Sequence, residues 1–324
     1  MKIRKYRLVE SGTETLAVLD NERWIRIDSY AEETGNEELK SCSDELISFL
    51  QYYEAHKEGL IQGLHNAAVS SEVTPDMEEA IPFQPLLYRD FLLSDTHMIN
   101  AARGLVKMTM RNLYPIVKGY ELIFRRPFPR LKPRKAFYDH PLYYKGNHLS
   151  FLGDKEAIAF PEYAALKDYE LEVGMIITKE IRDATEQEGL GAIGAFCILN
   201  DFSARNVQYE EMNSTGPCKS KDFASSISNT VVTADEILPC LYKLKTTVII
   251  NGKVAATGST ECFQHSFGAA VAYASKGENV YSGEFIGSGT VVNCCGLENG
   301  NFLETDDTIR LEIERLGSLT NTIV

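Results

Sequence analysis

The first part of the chain carries short apolar runs separated by polar turns, which is a pattern typical of β-strands. Three such runs, at 2–9, 15–19 and 23–28, are divided by the segments SGTE and DNE. From about residue 43 to residue 68 the apolar positions recur at helical spacing instead. The pattern therefore predicts a few strands followed by a helix.

Prolines then break the pattern in the segment AVSSEVTPDMEEAIPFQP, which predicts a linker between two units. A chain of 324 residues has room for one large domain and a small partner. We therefore predict a small N-terminal α/β domain over residues 1–80 and a larger catalytic domain over 81–324.

The larger domain is predicted to be α+β and mostly β. A helix carrying His97 is expected from about Asp90 to Val106. Short strands are predicted at 157–160, 169–178, 194–200, 228–233, 245–250, 284–288, 290–293 and 308–314, with helical pieces near 183–190 and 264–275.

A basic, proline-interrupted segment runs from about residue 108 to residue 137. Its Lys and Arg side chains suit a mobile lid that closes over an anionic substrate. Such a segment is more often a solvated surface loop, and the sequence leaves both interpretations open.

Two glutamates, Glu170 and Glu172, lie two residues apart in an apolar run. On a strand they would share one face, where they would repel each other and lose hydration. A bound cation would resolve both problems, and Asp201 at the end of another apolar run could supply a third oxygen. Carboxylates without His or Cys favour Mg²⁺ or Mn²⁺, with Ca²⁺ also possible, over Zn²⁺. The alternative is a solvated edge strand with Asp201 capping a turn.

Composition limits the partners of the chain. Its net charge of −13, from 33 basic and 46 acidic residues, argues against nucleic acid or an anionic membrane surface as partner. No apolar run approaches the roughly 18 residues of a membrane helix, and the N-terminus lacks the apolar region of a secretory signal. Seven cysteines without CxxC spacing are typical of reduced thiols, so a cytoplasmic location is expected.

Several sequence blocks together resemble the fumarylacetoacetate hydrolase superfamily. These are YRDFLLSDTH, PLYYKGN, DYELE, NDFSARNVQ, GPCKSKDF and GSGTVVNCCGLENG. They follow the order of the family from about Leu87 to the C-terminus. The resemblance implies a mixed β-sandwich roll of the type found in the C-terminal domain of fumarylacetoacetase.

The resemblance also implies roles for individual residues. The metal ligands would be Asp90, Glu170, Glu172 and Asp201. The catalytic residues would be His97, Glu298 and Lys221. The substrate would be contacted by Tyr144, Arg205, Gln208 and Thr290. By resemblance to fumarylacetoacetase, Glu298 would be the partner of His97. Other members pair the histidine with a glutamate three residues later, but Asn100 occupies that position here, which excludes that pairing.

Two of these residues also have purely structural interpretations: Arg205 could pair with Asp201 or Glu210, and Tyr144 could be a core residue.

The function implied is a metal-dependent hydrolase that cleaves a C–C bond in an acylpyruvate or other β-diketo acid through a stabilised enolate. The alternative is an oxaloacetate decarboxylase or keto-enol tautomerase on the same scaffold, and the third possibility is a catalytically silent ligand-binding protein. The expected substrate is a small anionic 2-oxo or β-diketo acid, and the family resemblance implies a homodimer.

Overall fold

The computed structural model describes residues 1–212 and 214–324. Its strands are β1 (Lys2–Leu8), β2 (Glu14–Asp20), β3 (Arg23–Arg26), β4 (Met77–Ala80), β5 (Leu87–Leu92), β6 (Leu142–Gly146), β7 (Phe151–Leu152), β8 (Ala157–Ile158), β9 (Lys167–Asp168), β10 (Leu171–Ile177), β11 (Ile181–Arg182), β12 (Ile193–Asp201), β13 (Ser203–Ala204), β14 (Ser225–Ile227), β15 (Val231–Thr233), β16 (Lys245–Ile250), β17 (Lys253–Ser259), β18 (Asn279–Val280), β19 (Glu284–Gly287), β20 (Thr308–Ile313) and β21 (Gly317–Ile323). Its α-helices are α1 (Ile27–Thr34), α2 (Glu37–Ser41), α3 (Leu46–Leu64), α4 (Asp95–Thr109), α5 (Tyr114–Phe124), α6 (Lys135–Asp139), α7 (Glu186–Gly191), α8 (Arg205–Glu211), α9 (Ala234–Ile237), α10 (Phe267–Ala274) and α11 (Gly296–Asn299).

A large sheet organises the molecule, with the strand order β3-β2-β1-β15-β12-β10-β19-β5-β6. All seven residues of β10 are buried, which explains why this strand appears in the sequence as a nearly continuous apolar run. A second sheet, with the order β17-β16-β20-β21-β8, is built mainly from the C-terminal part of the chain.

The N-terminal strands join the large sheet rather than forming a sheet of their own. Strand β1 pairs with β15 through Lys2 opposite Val232. One hydrophobic cluster contains Phe49 of α3 together with Ile176 and Ala195 of the central strands. The domain boundary near residue 80 stays a prediction, and this shared core indicates close association of the two units.

Four adjacent strands at the centre of the large sheet determine where the site lies. Strand β12 pairs antiparallel with β10, β10 pairs antiparallel with β19, and β19 pairs parallel with β5. Their register places Asp90 opposite Gly287 and Glu172 opposite Leu199. Polar residues that are far apart in the sequence therefore meet at one place in the sheet.

Three differences from the predicted elements bear on the site and on the basic segment. Asp90 lies in the strand β5, and the helix that carries His97 begins only at Asp95. Residues 290–293 form no strand. The basic segment 108–137 contains α5, α6 and the short 3-10 helix Pro129–Leu131. Among the described residues, no helix is both long and apolar enough to cross a membrane.

Candidate metal centre and active site

Three carboxylates from three strands of the large sheet converge in its interior. Oxygen atoms of Asp90 on β5, Glu172 on β10 and Asp201 on β12 all lie within 4.8 Å of one another. The three residues are at most 3% exposed. Gly287 makes room for them, because a Cβ atom there would lie 2.3 Å from Asp90 Oδ1 and 2.8 Å from Glu172 Oε2.

Neighbouring groups orient these carboxylates while leaving some of their oxygens unpartnered. Glu172 Oε2 accepts a hydrogen bond from the backbone N–H of Gly289 at 3.0 Å. Asp201 Oδ2 accepts hydrogen bonds from Tyr144 Oη at 2.6 Å and from Lys221 Nζ. Asp90 Oδ1 and Glu172 Oε1 are buried and have no hydrogen-bond partner within residues 1–212 and 214–324.

The electrostatics of the three carboxylates favour a cation among them. Burial and the neighbouring carboxylates raise the pKa of Asp90 and of Glu172 well above their ordinary values. Burial and Glu170 raise the pKa of Asp201, although Lys221 opposes this shift. Hard oxygen donors without nitrogen or sulfur suit Mg²⁺, Mn²⁺ or Ca²⁺. The residues present therefore fit a divalent cation.

Glu170 lies beside two cationic side chains. Its Oε1 accepts a hydrogen bond from Arg205 Nη2 at 2.6 Å, and its Oε2 accepts one from Lys221 Nζ at 2.6 Å. Burial alone would raise the pKa of Glu170, but these two cations outweigh it and the pKa is lowered. Both oxygens of Glu170 are thus engaged by the protein, and its role as a metal ligand stays a prediction.

The histidine and the glutamate singled out by the sequence lie next to each other. Ser94 caps α4 by accepting a hydrogen bond from the backbone N–H of His97 at 3.2 Å. His97 Nδ1 lies 3.1 Å from Glu298 Oε2 on α11, without the alignment of a hydrogen bond. The side chains are 6% and 1% exposed. Cys295 Sγ lies 3.5 Å from the same glutamate oxygen.

The predicted substrate-binding residues occupy different surroundings. Arg205 Nε donates to Asp168 Oδ2 at 2.6 Å, and its Nη1 donates to Gln208 Oε1 at 2.6 Å. Arg205 thus pairs with Asp168 and Glu170 rather than with Asp201 or Glu210. Tyr144 contacts Asp201, whereas the hydroxyl of Thr290 is buried without a partner among the described residues. Their contacts with a substrate stay predictions.

Sequence reasoning overlooked Asp168, the first residue of the DYELE block. Its side chain is completely buried, and it joins Arg205 to the loop that carries Glu298. An aspartate just before the buried ExE pair was the signal that could have found it.

Sequence comparison relates most of the chain to one family. Residues 124–324 match the family model "Fumarylacetoacetate (FAA) hydrolase C-terminal". The chain is 27% identical over 202 residues to the fumarylacetoacetate hydrolase domain-containing protein 2 homolog of Dictyostelium discoideum. That match covers 59% of this chain and 66% of the relative, so the chain spans just under two thirds of the relative's length.

Solved structures share the fold over the full length of the chain. Maleylpyruvate hydrolase from Sphingobium sp. SYK-6 has a TM-score of 0.68 at 13% identity, covering 100% of this chain and 99% of that one. The 5-carboxymethyl-2-hydroxymuconate delta-isomerase from Mycobacterium smegmatis has a TM-score of 0.64 at 16% identity, with the same coverage. These similarities confirm the predicted fold class.

The family model covers more than half of the chain and includes Glu170, Glu172, Asp201 and Lys221. Asp90 and His97 precede the matched residues, and the tertiary structure brings them to the same region. The chain belongs to the fumarylacetoacetate hydrolase family.

Proposed function

We propose that the chain is a divalent-metal-dependent hydrolase that cleaves a C–C bond in an acylpyruvate or another β-diketo acid. The observation that supports this most is the combination of a buried three-carboxylate cluster with a buried His–Glu pair. Glu170 connects the two parts electrostatically, since it is held by Lys221 beside Asp201 and its pKa is also lowered by His97. The proposed hydrolysis uses both a cation site and a base that activates water.

The carboxylates of Asp90, Glu172 and Asp201 would hold the cation, with Glu170 nearby. When bound, such a cation supplies Lewis-acid polarisation of the two oxygens of a 2-oxo or β-diketo acid and stabilises the negative charge of an enolate leaving group. The protein fixes the donor positions through Gly289, Tyr144 and Lys221.

His97 is the proposed general base. Glu298, 3.1 Å from Nδ1, would hold a proton on that nitrogen after a small realignment, and the lone pair of Nε2 would remain available. Nε2 would take a proton from the water that attacks the distal carbonyl carbon, and Glu298 would stabilise the resulting imidazolium. The low exposure of both side chains strengthens this interaction, because few water molecules screen it.

Lys221 and Arg205 are the proposed cationic partners of the substrate's charged end. Burial disfavours the charge of Lys221, but Asp201 and Glu170 outweigh that effect and raise its pKa, so Lys221 remains an ammonium at neutral pH. Arg205 offers a rigid fork of N–H donors and is held by Asp168 and Glu170. Together they supply positive charge in an otherwise acidic site, where a substrate carboxylate or a developing oxyanion can bind.

The test compares His97→Ala with His56→Ala as a matched control, since His56 is an exposed histidine on α3. Metal-stripped protein is reloaded with Mg²⁺ or Mn²⁺ and assayed on a panel of acylpyruvates and on oxaloacetate. Loss of the enol absorbance gives the rate, and product analysis identifies pyruvate and the released acid. We expect His97→Ala to lower kcat for hydrolysis by about 10²-fold or more with unchanged Mn²⁺ affinity, and His56→Ala to behave as wild type.

Two outcomes would contradict the proposal. Full hydrolytic activity after exhaustive chelation would exclude the metal mechanism. Metal-dependent decarboxylation or tautomerisation of oxaloacetate that survives in His97→Ala, with no hydrolysis of any acylpyruvate by the wild type, would assign the chain to the lyase or isomerase alternative instead.

A further inference from the structure

Asp168 is a completely buried carboxylate that accepts four hydrogen bonds. Its Oδ2 accepts from Arg205 Nε at 2.6 Å and from the backbone N–H of Leu297 at 2.9 Å. Its Oδ1 accepts from the backbone N–H of Gly296 at 2.6 Å and from its own neighbour Tyr169 at 2.7 Å. Every part of this carboxylate is therefore engaged by the protein.

Three of these donors come from two different parts of the site, and the fourth is the neighbouring backbone N–H of Tyr169. Arg205 forms an ion pair with Glu170, and Glu170 forms another with Lys221 beside the carboxylate cluster. Gly296 and Leu297 form the first turn of α11, and the next residue is Glu298, the partner of His97. Asp168 is thus the shared acceptor between the cation-binding half and the His–Glu half of the site.

We propose that Asp168 is a positioning residue that sets the place of the His97–Glu298 pair relative to Arg205 and the carboxylate cluster. Its kinetic consequences rest on the proposed hydrolase function. The residue itself lies behind Arg205 and α11 and acts through them. The simpler alternative is that Asp168 only balances the charge of Arg205.

The geometry predicts what an isosteric change would do. Asn at position 168 keeps one acceptor oxygen and replaces the other with an NH₂ donor. That donor would face two N–H groups, either those of Arg205 and Leu297 or those of Gly296 and Tyr169. The first turn of α11 would shift, and Glu298 would move with it.

Gly296 offers a second variant that leaves every charge unchanged. A Cβ atom at this position would lie 2.6 Å from Asp168 Oδ1 and 2.8 Å from the backbone oxygen of Asn301. Gly296→Ala therefore pushes α11 away from Asp168 while the Arg205–Asp168 ion pair remains. Gly296→Ala thus shows whether displacement of α11 alone, with the Arg205–Asp168 ion pair kept, is enough to disturb the His97–Glu298 pair.

The kinetic test uses Asp168→Asn, Gly296→Ala, Glu298→Gln and the double variant Asp168→Asn/Glu298→Gln. A misplacement of about 1 Å can lower a rate by about 10²-fold, and we expect a loss of that order in kcat for each single variant, with unchanged Mn²⁺ affinity. The acid limb of the pH–rate profile should move in Asp168→Asn and Gly296→Ala as it does in Glu298→Gln. The double variant should be no slower than Glu298→Gln alone, because both changes disable the same unit.

A matched control is Asp154→Asn. Asp154 Oδ1 also anchors a backbone N–H, that of Thr320 at 2.6 Å, but it contacts none of the site residues. This variant should leave kcat unchanged. A multiplicative loss in the double variant would show that Asp168 acts independently of Glu298 and would overturn the proposal.

A spectroscopic measurement separates this inference from the proposed function. The chain has six histidines, and the ¹⁵N ring signals of His97 are assigned by their absence in His97→Ala. They report which ring nitrogen carries the proton. We expect these signals to shift in Asp168→Asn and Gly296→Ala toward those of Glu298→Gln, and to stay at the wild-type values in Asp154→Asn. Unchanged signals in both variants would overturn the positioning role, even if no tested substrate is hydrolysed.

Discussion

Glu170 and Glu172 lie two residues apart but occupy opposite electrostatic surroundings. Glu170 accepts hydrogen bonds from the cationic side chains of Arg205 and Lys221, and its pKa is lowered. Glu172 faces Asp90 and Asp201, and its pKa is raised well above the ordinary value. The spacing of the pair was visible in the sequence, but the identity of each neighbour depended on contacts from β5, α8 and the Lys221 loop. No local pattern encodes those contacts.

This difference predicts that a Glu→Gln substitution changes the free energy of unfolding of the metal-free protein in opposite directions at the two positions. Glu172→Gln removes a like charge from a buried cluster, and one pKa unit corresponds to about 1.4 kcal/mol. We expect it to raise the free energy of unfolding at pH 8. Glu170→Gln removes one partner of a buried ion-pair network and should lower that free energy by about 3–5 kcal/mol.

The pH dependence of the Glu172→Gln effect follows from the direction of the pKa shift. When a carboxyl group has a higher pKa in the folded state than in the unfolded chain, the free energy of unfolding of the protein falls as the pH rises. The fall begins near the pKa in the unfolded chain, about 4.3, and ends above the pKa in the folded state. The gain from Glu172→Gln should therefore be absent below about pH 4 and grow at higher pH. Urea unfolding of both proteins in the presence of a chelator, across this pH range, measures the gain. Mn²⁺ in place of the chelator should stabilise the wild type far more than Glu172→Gln. A loss of stability in chelated Glu172→Gln at pH 8 would contradict the argument.

At the scale of elements, the sequence predicted the strands with continuous apolar runs and missed elements defined by tertiary contacts. The runs that became β10 and β12 were predicted because complete burial gives a nearly uninterrupted apolar sequence. Asp90 was expected to begin a helix, but pairing with β19 and β6 holds it in a strand. The expected strand at 290–293 is absent because residues 290–293 form a turn-containing loop that leads to α11.

The basic segment 108–137 has two interpretations, a mobile lid and a solvated surface loop, and its contacts allow a test that separates them. A small cluster of Ile99, Val117 and Leu131 and the ion pair between Arg103 and Glu121, 3.0 Å apart, attach α5 and the following turn to α4. Exposed apolar side chains on α5, such as Leu122 at 81% and Ile123 at 74%, would become covered if the segment closed.

We expect Mn²⁺ with oxalate, a planar dianion resembling the enolate of pyruvate, to slow tryptic cleavage after Arg125 several-fold. Cleavage at Lys253, at the exposed start of β17, is the internal control and should keep its rate. If cleavage after Arg125 proceeds at the same rate with and without the ligands, and oxalate binding is demonstrated, the segment is a solvated surface loop.

At the scale of the whole molecule, the resemblance to the family predicts a homodimer, and the topology gives a physical reason for it. Strands β6 and β17 end their sheets, and unpaired edge strands are commonly covered by another element or another chain. A two-fold dimer is the commonest closed assembly of soluble proteins.

Sedimentation at micromolar concentration should give about twice the chain mass of 36.3 kDa. The same measurement at nanomolar concentration, combined with an activity assay, would show whether separated protomers retain activity. A monomer with full activity at every concentration would contradict the predicted assembly and would leave the site described above as complete within one chain.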